Sequence, residues 1–197
     1  KPGRNDMLAS QIDIAPTLLD AMGLPGDDHF FGVSLFEEDA PVVVGHAPDG
    51  GGVTIPDTIN GLSVSSIGDY AFNSCYSATS VTIPNSVTNV GLGAFYNCSA
   101  LTAITVDANN PAYSSVAGVL FNKSQTTLVQ YPGGKGGSYT VPSSVASIGD
   151  WAFEYCESLT NVTIPNSVTN IGDYAFGECT SLSGVTIGSR VTSIGAG

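Results

Sequence analysis

The hydrophobic pattern of this chain changes character near residue 52. Beyond it, apolar residues come in short bursts at alternate positions, separated by Pro, Gly, Asn and Asp, and the whole arrangement repeats. The clearest unit is VTIPNSVTNIGDYAFGEC, from Val162 to Cys179. VTIPNSVTNV begins at Val81, TVPSSVASIGDWAFEYC runs from Thr140 to Cys156, and VTIGSRVTSIG starts at Val185. The step is 23 residues from Tyr139 to Val162, from Val162 to Val185, from Val81 to Ile104, from Cys75 to Cys98 and from Cys156 to Cys179. A fixed period of roughly 20–29 residues predicts a solenoid, in which each unit forms one coil and buries its apolar side only against its neighbours.

Within a unit, Leu159, Val162 and Ile164 follow the L-x-x-L-x-L spacing of a leucine-rich solenoid strand, with alternate residues facing inward. Parallel strands are predicted near 81–84, 104–106, 139–142, 162–165 and 185–187. Pro165 has no N–H to donate and suits the end of a strand, and Val168 and Ile171 begin a second inward run. Gly172 permits a turn. Asp173-Tyr174-Ala175-Phe176 then reads as a short helical or 3₁₀ turn whose Phe enters the core, so that Phe72, Phe95, Phe153 and Phe176 stack as a column. The expected fold is a right-handed leucine-rich-repeat solenoid over residues 53–197, of the α/β class but β-rich, with parallel strands and short helical turns.

Two coils are irregular. Val53 to Val81 spans 28 residues, five above the period, and the excess is placed at the turn dipeptide Asn60-Gly61. Ile104 to Tyr139 spans 35, twelve above it, and contains GVLFNKSQTTLVQY, read as a β-hairpin around Asn122-Lys123-Ser124 that replaces the Ala-Phe-x-x-Cys half of the coil. Residues 1–45 lack the period altogether. Pro16 fits a helix start, Leu18, Leu19 and Met22 an apolar stripe, and Gly23 with Pro25 a stop. Asp27-Asp28-His29 form a polar loop, Phe30, Phe31 and Leu35 are anchors, Pro41 to Gly45 reads as one buried strand, and residues 46–52 as a linker. The chain opens at Lys1 and stops at Ala196-Gly197, where other copies continue into Ala-Phe, and so reads as a fragment cut at both ends.

Charge narrows the choice of partner. The formal net charge is −12, with nine acids against Lys1 and Arg4 in residues 1–50 and eight against Lys123, Lys135 and Arg190 beyond. Nucleic acid and anionic membrane surfaces both require clustered Lys and Arg, and neither is expected as a partner. No apolar run approaches the roughly 20 residues of a membrane span, so no membrane insertion is expected in this segment.

Candidate chemistry is sparse. His29 and His46 lie near acids, Asp27 and Asp28 for the first and Asp49 for the second, but without convergent ligands they read as solvated loop residues. No catalytic residue, metal site or cofactor is expected, and this chain by itself reads as no enzyme. The four cysteines hold the same place in their coils, two residues after Ala-Phe, and read as small buried thiols; bridges Cys75–Cys98 and Cys156–Cys179 are the alternative, with metal ligation behind both. Thr54, Thr82, Thr105, Thr140, Thr163 and Thr186 form one outward column, flanked by Ser80, Ala103, Ser138, Asn161 and Gly184. This is the candidate binding face, although a solvated sheet accounts for it as well. The alternative face carries Tyr70, Trp151 and Tyr174 beside Asp69, Asp150 and Asp173, which suit stacking on a sugar ring but sit next to buried Phe residues.

Two resemblances bear on function. The pattern VTIPxSVTxIGxxAFxxCxxL, over about residues 50–197, resembles the BspA-like class of bacterial leucine-rich repeats, and NPAYSSVAGVLFNKSQTTLVQYPGGKGGSYTVP is similar to a variant unit of that class. Ala78 in place of Leu and Gly188 in place of Pro are small departures. This implies a secreted or cell-surface protein whose solenoid recognises protein or polysaccharide. SQIDIAPTLLDAMGL followed by FFGVSLF resembles the C-terminal end of a sulfatase or lipoteichoic-acid-synthase-like domain over about residues 1–45. The nucleophile motif Cys-x-Pro-x-Arg of that family is absent here, so no catalytic role carries over, and a sulfatase or phosphoglycerol-transferase parent stays open. Three readings follow: an extracellular binding or adhesion module, a tail that targets such an enzyme to its polymer, and a structural spacer.

Overall fold

The structure is a computed structural model that describes the backbone of residues 30–33 and 42–46 and all atoms of residues 51–59 and 61–197. The helix expected at Pro16 to Met22, the Asp27-Asp28-His29 loop and the His46 side chain lie outside the described residues. Strands β1 (Phe30–Val33) and β2 (Val42–His46) come first. The first coil holds β3 (Gly52–Thr54), a small hairpin of β4 (Thr58–Ile59) and β5 (Leu62–Ser63), and β6 (Ser66–Ile67). The second holds β7 (Ser80–Ile83) and β8 (Asn89–Val90), and the third β9 (Ala103–Val106), β10 (Tyr113–Val116), β11 (Val119–Asn122) and β12 (Thr127–Gln130). β13 (Gly137–Thr140) with β14 (Ser147–Ile148), β15 (Leu159–Ile164) with β16 (Asn170–Ile171), and β17 (Gly184–Ile187) with β18 (Ser193–Ile194) complete the solenoid of about six turns.

The Val-Thr-Ile triplets make the first side of each coil, because β-branched residues fit a pleated surface buried on one face. Along β15, Leu159, Val162 and Ile164 are buried while Asn161 and Thr163 face out. The strands stack parallel and in register at the sequence period: Val53, Val81 and Ile104 align in β3-β7-β9, and Tyr139, Val162 and Val185 in β13-β15-β17. The short second runs form another layer in two sheets, β1-β2-β6-β8 and β10-β11-β12-β14-β16-β18. The strand expected at Pro41 to Gly45 is β2, which runs parallel to β6 with Val43 opposite Ile67.

The third side of each coil corrects an expectation, because no helix forms among the described residues. Local bonds such as Ala71 N–H to the Gly68 carbonyl and Asn73 N–H to the Tyr70 carbonyl alternate with bonds to the next coil, from Tyr70 to Leu92, Phe72 to Ala94 and Ser74 to Tyr96. Every second donor is therefore committed to a neighbouring coil, which an α-helix forbids. Tyr70, Trp151 and Tyr174 each adopt a left-handed φ of 50–58° and stop helical propagation at its first residue. The Phe residues still point inward: Phe72 stacks on Phe95 at 5.4 Å and Phe153 on Phe176 at 4.8 Å.

The long third coil also differs from its reading. It keeps the period through Asn110 and Tyr113, which stand 23 residues after Val87 and Val90. The chain then doubles back as the antiparallel meander β10-β11-β12, after which β12 runs parallel to β14 with Leu128 opposite Ile148. The meander is inserted ahead of the Phe position and does not replace it. Tyr131 N–H donates to the Ala152 carbonyl as Phe153 N–H does to Ala175, and its ring stacks on Phe153 at 5.0 Å. Asn110 is fully buried in the Val column and satisfies itself there, donating to the Pro84 and Val87 carbonyls at 2.7 and 2.8 Å and accepting from Ala112 and Tyr113 N–H. β11 divides the core, with Leu120 packing into the N-terminal cluster and Val119 and Phe121 into the C-terminal one.

Candidate functional site

Stacked Val-Thr-Ile triplets place one Thr per coil outward, at the spacing of adjacent strands, about 4.8 Å. Thr54, Thr105, Thr140, Thr163 and Thr186 are exposed and Thr82 is half-buried. They form two triplets rather than one column. Thr54, Thr82 and Thr105 are aligned in one sheet and Thr140, Thr163 and Thr186 in the other. Between them the tip of the meander docks on the free edge of β9: Ile104 N–H donates to the Gly118 carbonyl at 2.8 Å and Val106 N–H to Ser115 Oγ at 3.0 Å. The period alone hides this, since the insertion reads as a bulge in the sequence and not as a wedge between strands.

On the turn side the structure gathers more than the sequence singled out. Tyr70 and Trp151 meet at 5.5 Å, across Gly93, the residue equivalent to them in the second coil, and a Cβ at Gly93 would lie 2.9 Å from the indole. The third coil makes this possible, because only Val129 and Gln130 separate Leu128 from Tyr131 and no aromatic of that coil fills the ridge. Tyr96 joins at 6.0 Å from both rings, and Tyr155 packs edge-on to Tyr96 at 5.0 Å. The repeat does not point to Tyr96 and Tyr155, because their equivalents in other coils, such as Gly177 and Ser74, are not aromatic. Tyr174 stays outside the cluster, 49% exposed.

The neighbouring carboxylates divide into two kinds. Asp69, Asp150 and Asp173 each accept a backbone N–H from the next coil, from Leu92, Asp173 and Ala196 at 2.7–2.8 Å, and so brace the solenoid. Glu154 has no such bond: its Oε2 is shielded from solvent without a hydrogen-bond partner among the described residues. Its pKa is raised, first by burial and then by the Glu178 charge. The Tyr96 hydroxyl is pushed up by its hydrogen bond with Tyr155, by burial and by Glu154.

None of the four cysteines is in a disulfide; Cys75, Cys98 and Cys156 are buried and Cys179 is half-buried. Each of three donates to the carbonyl at the Phe position one coil back: Cys98 to Phe72 at 2.9 Å, Cys156 to Tyr131 at 3.8 Å and Cys179 to Phe153 at 3.0 Å. Cys98 and Cys156 are held above the usual thiol range by hydrogen bonds with Cys75 and Cys179 and by burial, whereas the bond from Cys156 lowers Cys179. Among the described residues, no group of three or more His, Cys, Asp or Glu is placed to hold a metal ion. No described helix is long and apolar enough to cross a membrane.

Comparison with known proteins agrees with this architecture. The family model of the BspA type leucine rich repeat region matches six copies over residues 53–134 and 135–197. A leucine rich cell surface protein from Faecalibacterium prausnitzii is 32% identical over 71% of this chain, with a TM-score of 0.57, and the chain spans 42% of that protein. A leucine-rich repeat protein from Bacteroides ovatus is 26% identical over 86% of the chain and 42% of its own length, with a TM-score of 0.51. The pneumococcal vaccine antigen PcpA shares the fold at 16% identity, covering 84% of this chain and 70% of that one, with a TM-score of 0.56. No curated protein matches the chain.

Proposed function

The chain belongs to the BspA-type leucine-rich repeat family, and from that premise we propose that it is a binding or adhesion module that works outside the cell or at its surface and recognises a protein or a polysaccharide. The observation that carries this reading is how the coils divide their residues. Inward columns of Val, Ile, Leu, Phe and Cys are committed to packing, which leaves flat, uncharged outward arrays available for contact. The cell-surface description of the 32% identical Faecalibacterium protein supports the location. Members of such repeat families are generally non-enzymatic, in keeping with a chain that acts by binding.

The two Thr triplets are the proposed contact face. Replacing Thr82, Thr140 and Thr163 with Lys is expected to abolish retention of the protein on an array of glycans and extracellular proteins, while the thermal midpoint moves by a few degrees at most, since outward positions carry little packing energy. Retention unchanged in the folded variant rejects this face. The tail reading, in which the coils target a sulfatase-like or phosphoglycerol-transferase-like enzyme, rests on residues 1–45, and the family match begins only at residue 53. Sequencing the gene beyond both ends tests it: an intact catalytic domain upstream would favour the tail over the adhesin.

A further inference from the structure

We propose that the chain carries two latent disulfide sites, Cys75–Cys98 and Cys156–Cys179, each of which closes when a disulfide oxidant reaches it and staples two neighbouring coils. Register is the first ground. The members of each pair stand 23 residues apart, at the same place in consecutive coils. The coils are hydrogen-bonded right beside them, from Ser74 N–H to the Tyr96 carbonyl at 2.9 Å and from Tyr155 N–H to the Gly177 carbonyl at 3.0 Å. Equivalent positions are thereby held at the strand spacing of about 4.8 Å, inside the roughly 4.4–6.8 Å Cα separation of a disulfide.

The second ground is where the sulfurs lie. The Phe72 carbonyl accepts both the Cys75 N–H, at 3.2 Å, and the Cys98 thiol, at 2.9 Å. Phe153 repeats this with the Cys156 N–H at 3.1 Å and the Cys179 thiol at 3.0 Å. The second thiol of each pair is thus turned toward the backbone of the first cysteine, and the two thiols are hydrogen-bonded to each other. The third ground is that no other pairing fits. Between Cys98 and Cys156 the third coil interposes Pro132-Gly133-Gly134, where a Cβ at Gly133 would lie 2.9 Å from the Cys98 carbonyl oxygen and 3.4 Å from that of Tyr155. Cys98 and Cys156 are therefore about two strand spacings apart, beyond the roughly 7 Å that a bridge can span. One staple falls to each half: Cys75 and Cys98 pack in the N-terminal cluster, Cys156 and Cys179 in or against the C-terminal one.

Closure is thiol–disulfide exchange, with oxidised glutathione as the probe. One cysteine of the pair, as thiolate, attacks a glutathione sulfur and breaks the oxidant's S–S bond; the first glutathione leaves as thiolate and takes up the proton that the cysteine had lost. The partner cysteine gives up its proton in turn and attacks the sulfur now joined to glutathione, expelling the second glutathione, which takes that proton. Two cysteine thiols are oxidised and one glutathione disulfide is reduced to two thiols. In the folded chain Cys179 leads because it is half-buried, whereas Cys75 and Cys98 are 1% and 2% exposed and react only when the coils open. These sites are distinct from the Thr face and do not rest on it.

Two samples test this: the folded protein treated with oxidised glutathione, and protein refolded from urea in oxidised and reduced glutathione. After alkylation, mass spectrometry of the non-reduced chymotryptic digest should find 156–159 joined to 177–182 first in the folded sample, and 73–76 joined to 97–101 as well after refolding. The thermal midpoint of the bridged protein should rise by roughly 5–10 °C per bridge over the reduced form. Cys98→Ala with Cys179→Ala should show no rise and keep glutathione on Cys75 and Cys156, and the wild-type peptide map decides alone if that variant does not fold. Thiols of either pair still alkylated after refolding, a folded chain that closes Cys75–Cys98 first, a Cys98–Cys156 cross-link, or cross-links without a rise in the midpoint overturn the proposal.

Discussion

At the scale of single residues, what counts is which atoms a coil leaves open. Cys75, Cys98 and Cys156 are at most 2% exposed, and Cys179 is half-buried with its thiol pKa lowered by the Cys156 hydrogen bond. Thiolate fraction and access together set reactivity, so iodoacetamide should label Cys179 first, and the other three only on the timescale of unfolding. The lowered pKa moves the midpoint of Cys179 labelling to lower pH than that of a free thiol. Mass spectrometry of the chymotryptic digest, in which cleavage after Tyr155, Leu159, Phe176 and Leu182 puts Cys156 and Cys179 on different peptides, reads the order, and early labelling of Cys156 would contradict the assignment. That the thiols are buried was legible from their fixed place in the period. Their asymmetry was not, because it arises from hydrogen bonds between coils. Asn110 is similar: counting 23 from Val87 puts it in the Val column, but only the structure reveals the four bonds that make a buried amide tolerable there.

At the scale of elements, the strands were legible because alternation and β-branching act locally, and each predicted strand falls within two or three residues of the observed one. The turn segment was not, because its donors are satisfied by the next coil, which no local pattern records. Gly93 isolates what that segment demands. Its φ of +59° matches those of Tyr70 and Trp151, which side chains there evidently tolerate, so left-handed backbone alone cannot explain a glycine. The two rings that meet over it can. Gly93→Ala must displace the Trp151 indole and is expected to cost about 1–3 kcal/mol by overpacking, with a change in Trp fluorescence. Gly61→Ala supplies the comparison: φ is +80° but nothing lies within 4 Å of the new Cβ, so only the left-handed penalty of about 1 kcal/mol applies and the fluorescence stays as it was. Urea unfolding of both variants makes the comparison, and equal losses with unchanged Trp151 emission in both would remove the packing argument.

At the scale of the whole molecule, a solenoid is quasi-one-dimensional, and its stability is a sum over coils and the contacts between neighbours. The meander breaks this uniformity. It separates the parallel sheets β3-β7-β9 and β13-β15-β17, splits the Thr face and opens the gap that Trp151 spans, and all three followed from twelve extra residues whose length, but not path, the sequence disclosed. What joins the two halves is β11, where consecutive side chains serve different cores: Leu120 the N-terminal cluster, Phe121 the C-terminal one. Both are fully buried, so truncation to Ala is expected to cost about 2–5 kcal/mol at Leu120 and about 3–5 kcal/mol at Phe121. The two losses should be local. Native-state hydrogen exchange should quicken in β7 and β9 for Leu120→Ala and in β14, β15 and β16 for Phe121→Ala, while β17 and β18, where Val185, Ile187 and Ile194 are 43–64% exposed, exchange fastest in every variant. If either substitution accelerates both halves equally, β11 is a mere part of one cooperative core. If the pattern divides as expected, the two halves of the solenoid unfold separately, and the Thr triplets belong to two units whose stabilities can be altered one at a time.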